Sequence, residues 1–153
     1  MVLPMDVRHV PQIATLEAES FSLPWEESAI RAELENPLAL WLVWAEGERV
    51  LGYVGSQTCF EDADILNVAV LPAARRRGIA EALLRELEAW LSARGAERIT
   101  LELRASNETA FALYRKLGYG QVGLRKNYYE KPREDALILQ KQICLPDEGK
   151  SAF

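Results

Sequence analysis

Two short stretches of this chain hold side chains able to move protons at a substrate. Arg98-Ile99-Thr100-Leu101-Glu102-Leu103-Arg104 alternates in the manner of a strand with one buried face. Ile99, Leu101 and Leu103 take that face, and Glu102 stands opposite with Thr100 and Arg104. Asn107 then opens a helix that carries Tyr114 seven residues on. Seven residues turn a helix by about 700°, so the two side chains leave within roughly 20° of each other, with Phe111 nearly in line. A carboxylate accepts a proton and a phenol supplies one, so the pair suits a transfer in which one group is deprotonated as another leaves. Taken alone, Glu102 also reads as a solvent-facing charge and Tyr114 as core packing.

A second kind of chemistry is written in Asn67-Val68-Ala69-Val70-Leu71-Pro72-Ala73-Ala74-Arg75-Arg76-Arg77-Gly78-Ile79-Ala80. The stretch runs strand, short loop, basic run, glycine and then a long amphipathic helix. A helix start leaves about four N–H groups unpaired and carries partial positive charge, which suits phosphate. Arg75, Arg76 and Arg77 oppose that dipole, so their placement costs stability unless an anion is bound. Gly78 lets backbone approach a ligand, and Ala80 adds little bulk. No Gly-Lys-Ser/Thr follows, so this is not a nucleotide P-loop, and the full Gly-x-Gly-x-x-Gly of a dinucleotide site is absent.

These segments need a frame. Ile13, Leu16 and Phe21 predict a helix from about Val10, and a second begins near Trp25-Glu26 and stops before Pro37. Leu38–Ala45, Val50–Phe60 and Ile65–Val70 read as strands, with turns at Glu46-Gly47-Glu48 and Glu61-Asp62-Ala63-Asp64. Leu83, Leu84, Leu87, Trp90 and Leu91 form one helical stripe from Ile79 to near Gly95. A strand over Arg98–Arg104, a helix over Asn107–Leu117 and strands over Tyr119–Leu124 and Asp135–Ile143 complete the chain. With a first strand within Val2–Val7, the order is β-α-α-β-β-β-α-β-α-β-β. The expected class is α/β: one mixed sheet of about 6–7 strands flanked by about 4 helices. A single domain covers 1–145, and Pro146–Phe153 forms a loose tail.

Composition narrows the function. The chain has 153 residues, enough for one core, with 49% apolar and 27% charged residues. No run approaches the roughly 18 apolar residues of a membrane helix, and the N-terminus lacks a leader pattern, so a cytoplasmic protein without a membrane partner is expected. A net charge of −5 argues against direct nucleic-acid binding. Cys59 and Cys144 show no metal-ligand spacing and read as buried thiols; no metal is expected. The only histidine, His9, lies far from every motif and takes a surface or first-helix role.

The basic loop resembles the pyrophosphate loop of the GNAT acetyltransferases, Gln/Arg-x-x-Gly-x-Gly/Ala, with Ala80 at the last position. That resemblance implies a GNAT-type fold and acetyl-CoA as co-substrate. Arg75, Arg76, Arg77, Gly78, Ile79, Ala80 and Glu81 then hold the pyrophosphate, and Val68, Ala69 and Val70 pair with the pantetheine arm. The strings Leu101–Asn107 and Ala112–Tyr119 are similar to the RimI-type ribosomal-protein alanine N-acetyltransferases. So are Phe21-Ser22-Leu23-Pro24-Trp25, Arg125-Lys126-Asn127-Tyr128-Tyr129 and Arg133-Glu134-Asp135-Ala136. The likeness spans roughly residues 3 to 143. It implies that Glu102 is the proton acceptor, Tyr114 the proton donor and Asn107 a coenzyme contact. The implied partner is a protein or peptide N-terminus, that of a ribosomal protein.

Energetics shape these roles. An α-amine has an ordinary pKa of about 8 and a glutamate about 4.3, so complete transfer is uphill by about 5 kcal/mol. Glu102 therefore needs either a buried environment or a water that carries the proton. A lysine amine, near 10.4, makes the gap larger and so favours an α-amine acceptor. Tyr114 faces a leaving thiolate, which it can stabilise by hydrogen bonding. Neither cysteine has an adjacent base, so direct attack in a ternary complex is expected. Acceptor contacts are expected from Trp25 in the Ser22–Glu26 loop and from Tyr128 and Tyr129 in the Lys126–Arg133 loop. The other readings are an acetyltransferase for a small metabolite, an antibiotic or a lysine, and an acyl-CoA-binding module without turnover.

Overall fold

Among the described residues, alternating or continuous apolar runs form seven strands, and the 3.6-period stripes form four α-helices, in the order expected. A computed structural model describes residues 1–143. The elements are β1 (Val2–Pro4), α1 (Val10–Ser20), α2 (Glu27–Ala32), β2 (Ala39–Glu46), β3 (Arg49–Cys59), β4 (Asp62–Val70), α3 (Ile79–Ala93), β5 (Arg98–Arg104), α4 (Glu108–Lys116), β6 (Gly120–Tyr129) and β7 (Glu134–Gln142). They build one sheet in the order β1-β2-β3-β4-β5-β7-β6. Every neighbouring pair is antiparallel except β4 and β5, which run parallel and are joined through α3.

That parallel pair is brief. Only Asp62, Ala63 and Asp64 pair with Arg98, Ile99 and Thr100, whereas β4 continues to Val70 and β5 to Arg104. Beyond Asp64 the two strands part, and the sheet opens into two arms. A bulge sits at the same place: Gly55 faces Asn67 and Ser56 faces Ile65, so Leu66 is an extra residue on β4.

Each face has its own core. Ile99, Leu101 and Leu103 pack with Leu83, Leu84, Leu87 and Leu91 of α3 and Tyr114 of α4. Val10, Ile13 and Leu16 of α1 and Ile30 of α2 pack with Trp41, Val43 and Tyr53 on the other face. Burying the four α3 leucines contributes about 1.5–3 kcal/mol each.

Several boundaries depart from expectation. Asp62, Ala63 and Asp64 belong to β4 and not to a turn, because they supply the whole pairing with β5. β6 runs on to Tyr129, so the loop expected over Lys126–Arg133 is reduced to residues 130–133. Cys59 is exposed, against the buried thiol expected, since it ends β3 where the hairpin leaves the core. Cys144 and the tail Pro146–Phe153 lie outside the described residues. His9 is buried at the start of α1, where its Nδ1 accepts the Asp6 N–H at 3.0 Å.

Candidate active site at the parting of the sheet

Where β4 and β5 separate, a cavity of about 660 Å³ opens between the arms. Ile65 to Val68 line one side, Leu101 to Arg104 the other, and Asn107 with Ala110 and Tyr114 of α4 close it at one face. Ser20 to Leu23, from the end of α1 and the loop after it, with Tyr128, Tyr129 and Glu130, border it as well.

Strand alternation puts Glu102 on the face away from Leu101 and Leu103. It is not free: Arg125 Nε donates to Glu102 Oε2 at 2.7 Å. The carboxyl side chain is 29% exposed, so water reaches it. The Tyr128 hydroxyl faces the same carboxylate, and that contact is the main cause of its raised pKa, with burial second. Tyr129 is pushed up to about 12, first by burial and then by Glu102, against an opposing pull from Arg104. The Arg104 guanidinium lies 4.5 Å from the Tyr129 ring centre. It also donates to the Glu130 carbonyl at 3.0 Å, the Pro132 carbonyl at 2.8 Å and Ser22 Oγ at 3.3 Å, which ties the two loops across the gap.

Tyr114 enters from the opposite face. It is 2% exposed, its ring packs edge-on against Tyr119 at 5.2 Å, and burial raises its pKa, with Tyr129 adding to the effect. Asn107, the residue before α4, turns its side-chain oxygen back to the Ala110 N–H at 3.1 Å. That cap aims the first turn of α4 at the cavity.

The basic loop is separate from the cavity lining. It follows the end of β4, with Arg75, Arg76 and Arg77 all exposed. Arg77 pairs with Glu46 at 2.6 Å. Gly78 precedes α3 with φ of +77°, a left-handed conformation that glycine adopts at little cost. The first turn bond comes from Ala82 N–H to the Gly78 carbonyl at 3.0 Å, and the amides ahead of it have no partner within the helix. Along the outer edge of β4, Val68, Ala69 and Val70 have a strand partner only in β3, and the Val70 carbonyl also accepts from Arg75 Nε at 3.4 Å. These open donors and acceptors, next to a cavity, fit a phosphate-bearing ligand with an amide-containing arm.

Of the expected acceptor residues, Tyr128 and Tyr129 reach the cavity and Trp25 does not. Its ring packs edge-on against Trp41 at 5.3 Å, and Ser20 to Leu23 take the wall instead. Sequence reasoning did not single out Arg125, Arg104 or Glu17. Glu17 was visible in principle, because a charge stands on the apolar stripe of Val10 and Ile13. Among the described residues no group of three or more His, Cys, Asp or Glu could hold a metal ion. No helix there is long and apolar enough to cross a membrane.

Comparison with known proteins agrees with this geometry. Residues 10–119 match the family model described as "Acetyltransferase (GNAT) family". A Bacillus subtilis protein, provisionally named a [ribosomal protein bS18]-alanine N-acetyltransferase, is 40% identical over 88% of this chain and 87% of its own. The Escherichia coli (strain K12) [ribosomal protein bS18]-alanine N-acetyltransferase is 31% identical over 92% of this chain and 96% of its own. The crystal structure of the ribosomal-protein-S18-alanine N-acetyltransferase from Escherichia coli superposes with a TM-score of 0.88 at 29% identity, covering 97% of each chain.

Proposed function

The chain belongs to the acetyltransferase (GNAT) family, and within it we propose that the acceptor is a protein α-amine, that of an alanine-starting ribosomal protein of the bS18 kind. It is an acetyl-CoA-dependent N-acetyltransferase. Acetyl-CoA, when bound, supplies an activated acetyl thioester. An acceptor of this kind goes with work in the cytoplasm, the compartment we assign.

The observation that carries this reading is the cavity at the parting of β4 and β5, which Glu102 and Tyr114 reach from opposite faces. The outer edge of β4 and the amides ahead of α3 suit the coenzyme, with Gly78 setting the loop and Arg75 to Arg77 supplying positive charge. Tyr128, Tyr129 and the wall of residues 20–23 suit a peptide end on the other side. Glu102, ion-paired yet open to water, accepts the amine proton through a water as nitrogen attacks the carbonyl carbon. Tyr114 keeps its proton and donates a hydrogen bond toward the sulfur as the carbon–sulfur bond breaks. The products are an amide and a coenzyme thiolate, which takes a proton from solvent as Glu102 gives up the one it accepted, with no acyl-enzyme.

Coenzyme A release from acetyl-CoA, measured with short peptides differing only in their first residue and with lysine and small amines, tests the proposal. Turnover confined to α-amines, best with alanine, is expected. Turnover on small amines alone would overturn the acceptor, and tight coenzyme binding without turnover would overturn catalysis.

A further inference from the structure

Glu17 is a carboxylate with no exposed surface, set in the core face of α1. Burying such a group is costly unless donors surround it. Three do, each from a different segment. Trp25 N–H, in the loop after α1, donates to Oε1 at 2.8 Å. Asn67 Nδ2 donates to Oε2 at 2.8 Å, and the buried Tyr53 hydroxyl donates to the same oxygen.

The β4 bulge makes the second bond available. Ile65 and Val68 both face the α3 side, which strict alternation forbids for residues three apart. The extra residue leaves Leu66 and Asn67 on the α1 side together: Leu66 packs in the α1 core and Asn67 reaches Glu17. Asn67 and the segment 20–23 both line the cavity, so the carboxylate joins two parts of one wall from behind.

We propose that Glu17 is the positioning residue of the acceptor side, registering the loop after α1 on the β4 bulge and so setting the width of the acceptor entrance opposite Glu102. The inference rests on the α-amine acceptor reading above. Glu17 touches neither substrate; it acts through Asn67 and the loop backbone. Its loss loosens acceptor recognition and leaves the coenzyme side, on β4's far edge and α3, unchanged.

Polarity reversal provides the test. Glu17→Gln places an amide donor against the Asn67 amide, and Asn67→Asp sets two carboxylates together. In the double variant the new side-chain amide on α1 donates to the new carboxylate on β4, its carbonyl oxygen still accepts from the Trp25 N–H, and the Tyr53 oxygen turns from donor to acceptor of the second amide N–H. Each single variant is expected to raise the KM for an alanine-starting peptide by roughly tenfold or more, with acetyl-CoA Kd held within about twofold. The double variant recovers most of the KM. Amide exchange of residues 21–25 should quicken in the singles and slow again in the double. Additive losses in the double, an unchanged KM, or equal loss of coenzyme binding would overturn the proposal. If the wild type acetylates no peptide, the acceptor reading fails instead, and exchange without recovery in the double still refutes the tie.

Discussion

Glu102 and Tyr114 occupy opposite faces of β5, and their surroundings differ accordingly. Glu102 is reached by water and by Arg125, whereas Tyr114 is enclosed by the core that packs α4 on the sheet. Burial raises the Tyr114 pKa, so its hydroxyl stays protonated and is better suited to hydrogen-bond donation than to full proton transfer. Tyr114→Phe keeps the edge-on contact with Tyr119 and removes only the hydroxyl. It should slow the single-turnover rate by about tenfold or more with little change in melting temperature; an unaltered rate would leave Tyr114 as packing. Glu102→Gln should lower turnover by roughly 10²-fold while sparing acetyl-CoA affinity, checked by steady-state kinetics and calorimetry. Wild-type rates in that variant would remove Glu102 from the mechanism.

Among the elements, the start of α3 and the end of β4 are where we place the coenzyme. Gly78 has no heavy atom within 4 Å of where a Cβ would stand, so a side chain there meets no crowding from the protein. Its φ of +77° is nevertheless disfavoured for a β-branched residue, by about 1–2 kcal/mol. Gly78→Val should therefore turn the loop backbone and weaken acetyl-CoA binding by about tenfold, with the peptide KM unchanged at saturating coenzyme. Unchanged affinity by calorimetry would refute the assigned cradle. The α3 helix itself was legible from its stripe of leucines, because a 3.6-residue period over fifteen residues has one reading. The β4 start was not, since Asp62-Ala63-Asp64 has turn composition and becomes strand through its pairing with β3 on one side and β5 on the other.

The whole molecule should show a pH window of stability bounded by buried titrating groups. Burial is the main cause lowering the His9 pKa from 6.5, so the folded state keeps it neutral. Below about pH 6.5 the unfolded chain binds more protons, and the stability that His9 contributes above that pH is lost as pH falls. Tyr53, Tyr114 and Tyr119 are raised from 10.0, chiefly by burial, so their contribution is complete below about pH 10 and is lost as pH rises further. Urea midpoints should form a plateau between these limits. His9→Gln should flatten the fall near pH 6; an unchanged slope there would assign it to carboxylates alone.

The order of elements, the alternation of β5 and the stripe of α3 follow from the sequence alone, because periodicity is a local property that burial imposes on every helix and strand. The candidate pair Glu102 and Tyr114 and the basic loop were legible for the same reason: each stands at a marked position on a single element. The parting of β4 from β5, the Arg125 partner of Glu102 and the donors around Glu17 were decided only by the tertiary structure. They join residues 23, 36 and 50 positions apart, and no local period records which strands pair or where pairing ends. Trp25 shows the same division: its sequence neighbours raise the expectation of an acceptor contact, but its ring packs on Trp41 away from the cavity and its backbone N–H bonds Glu17.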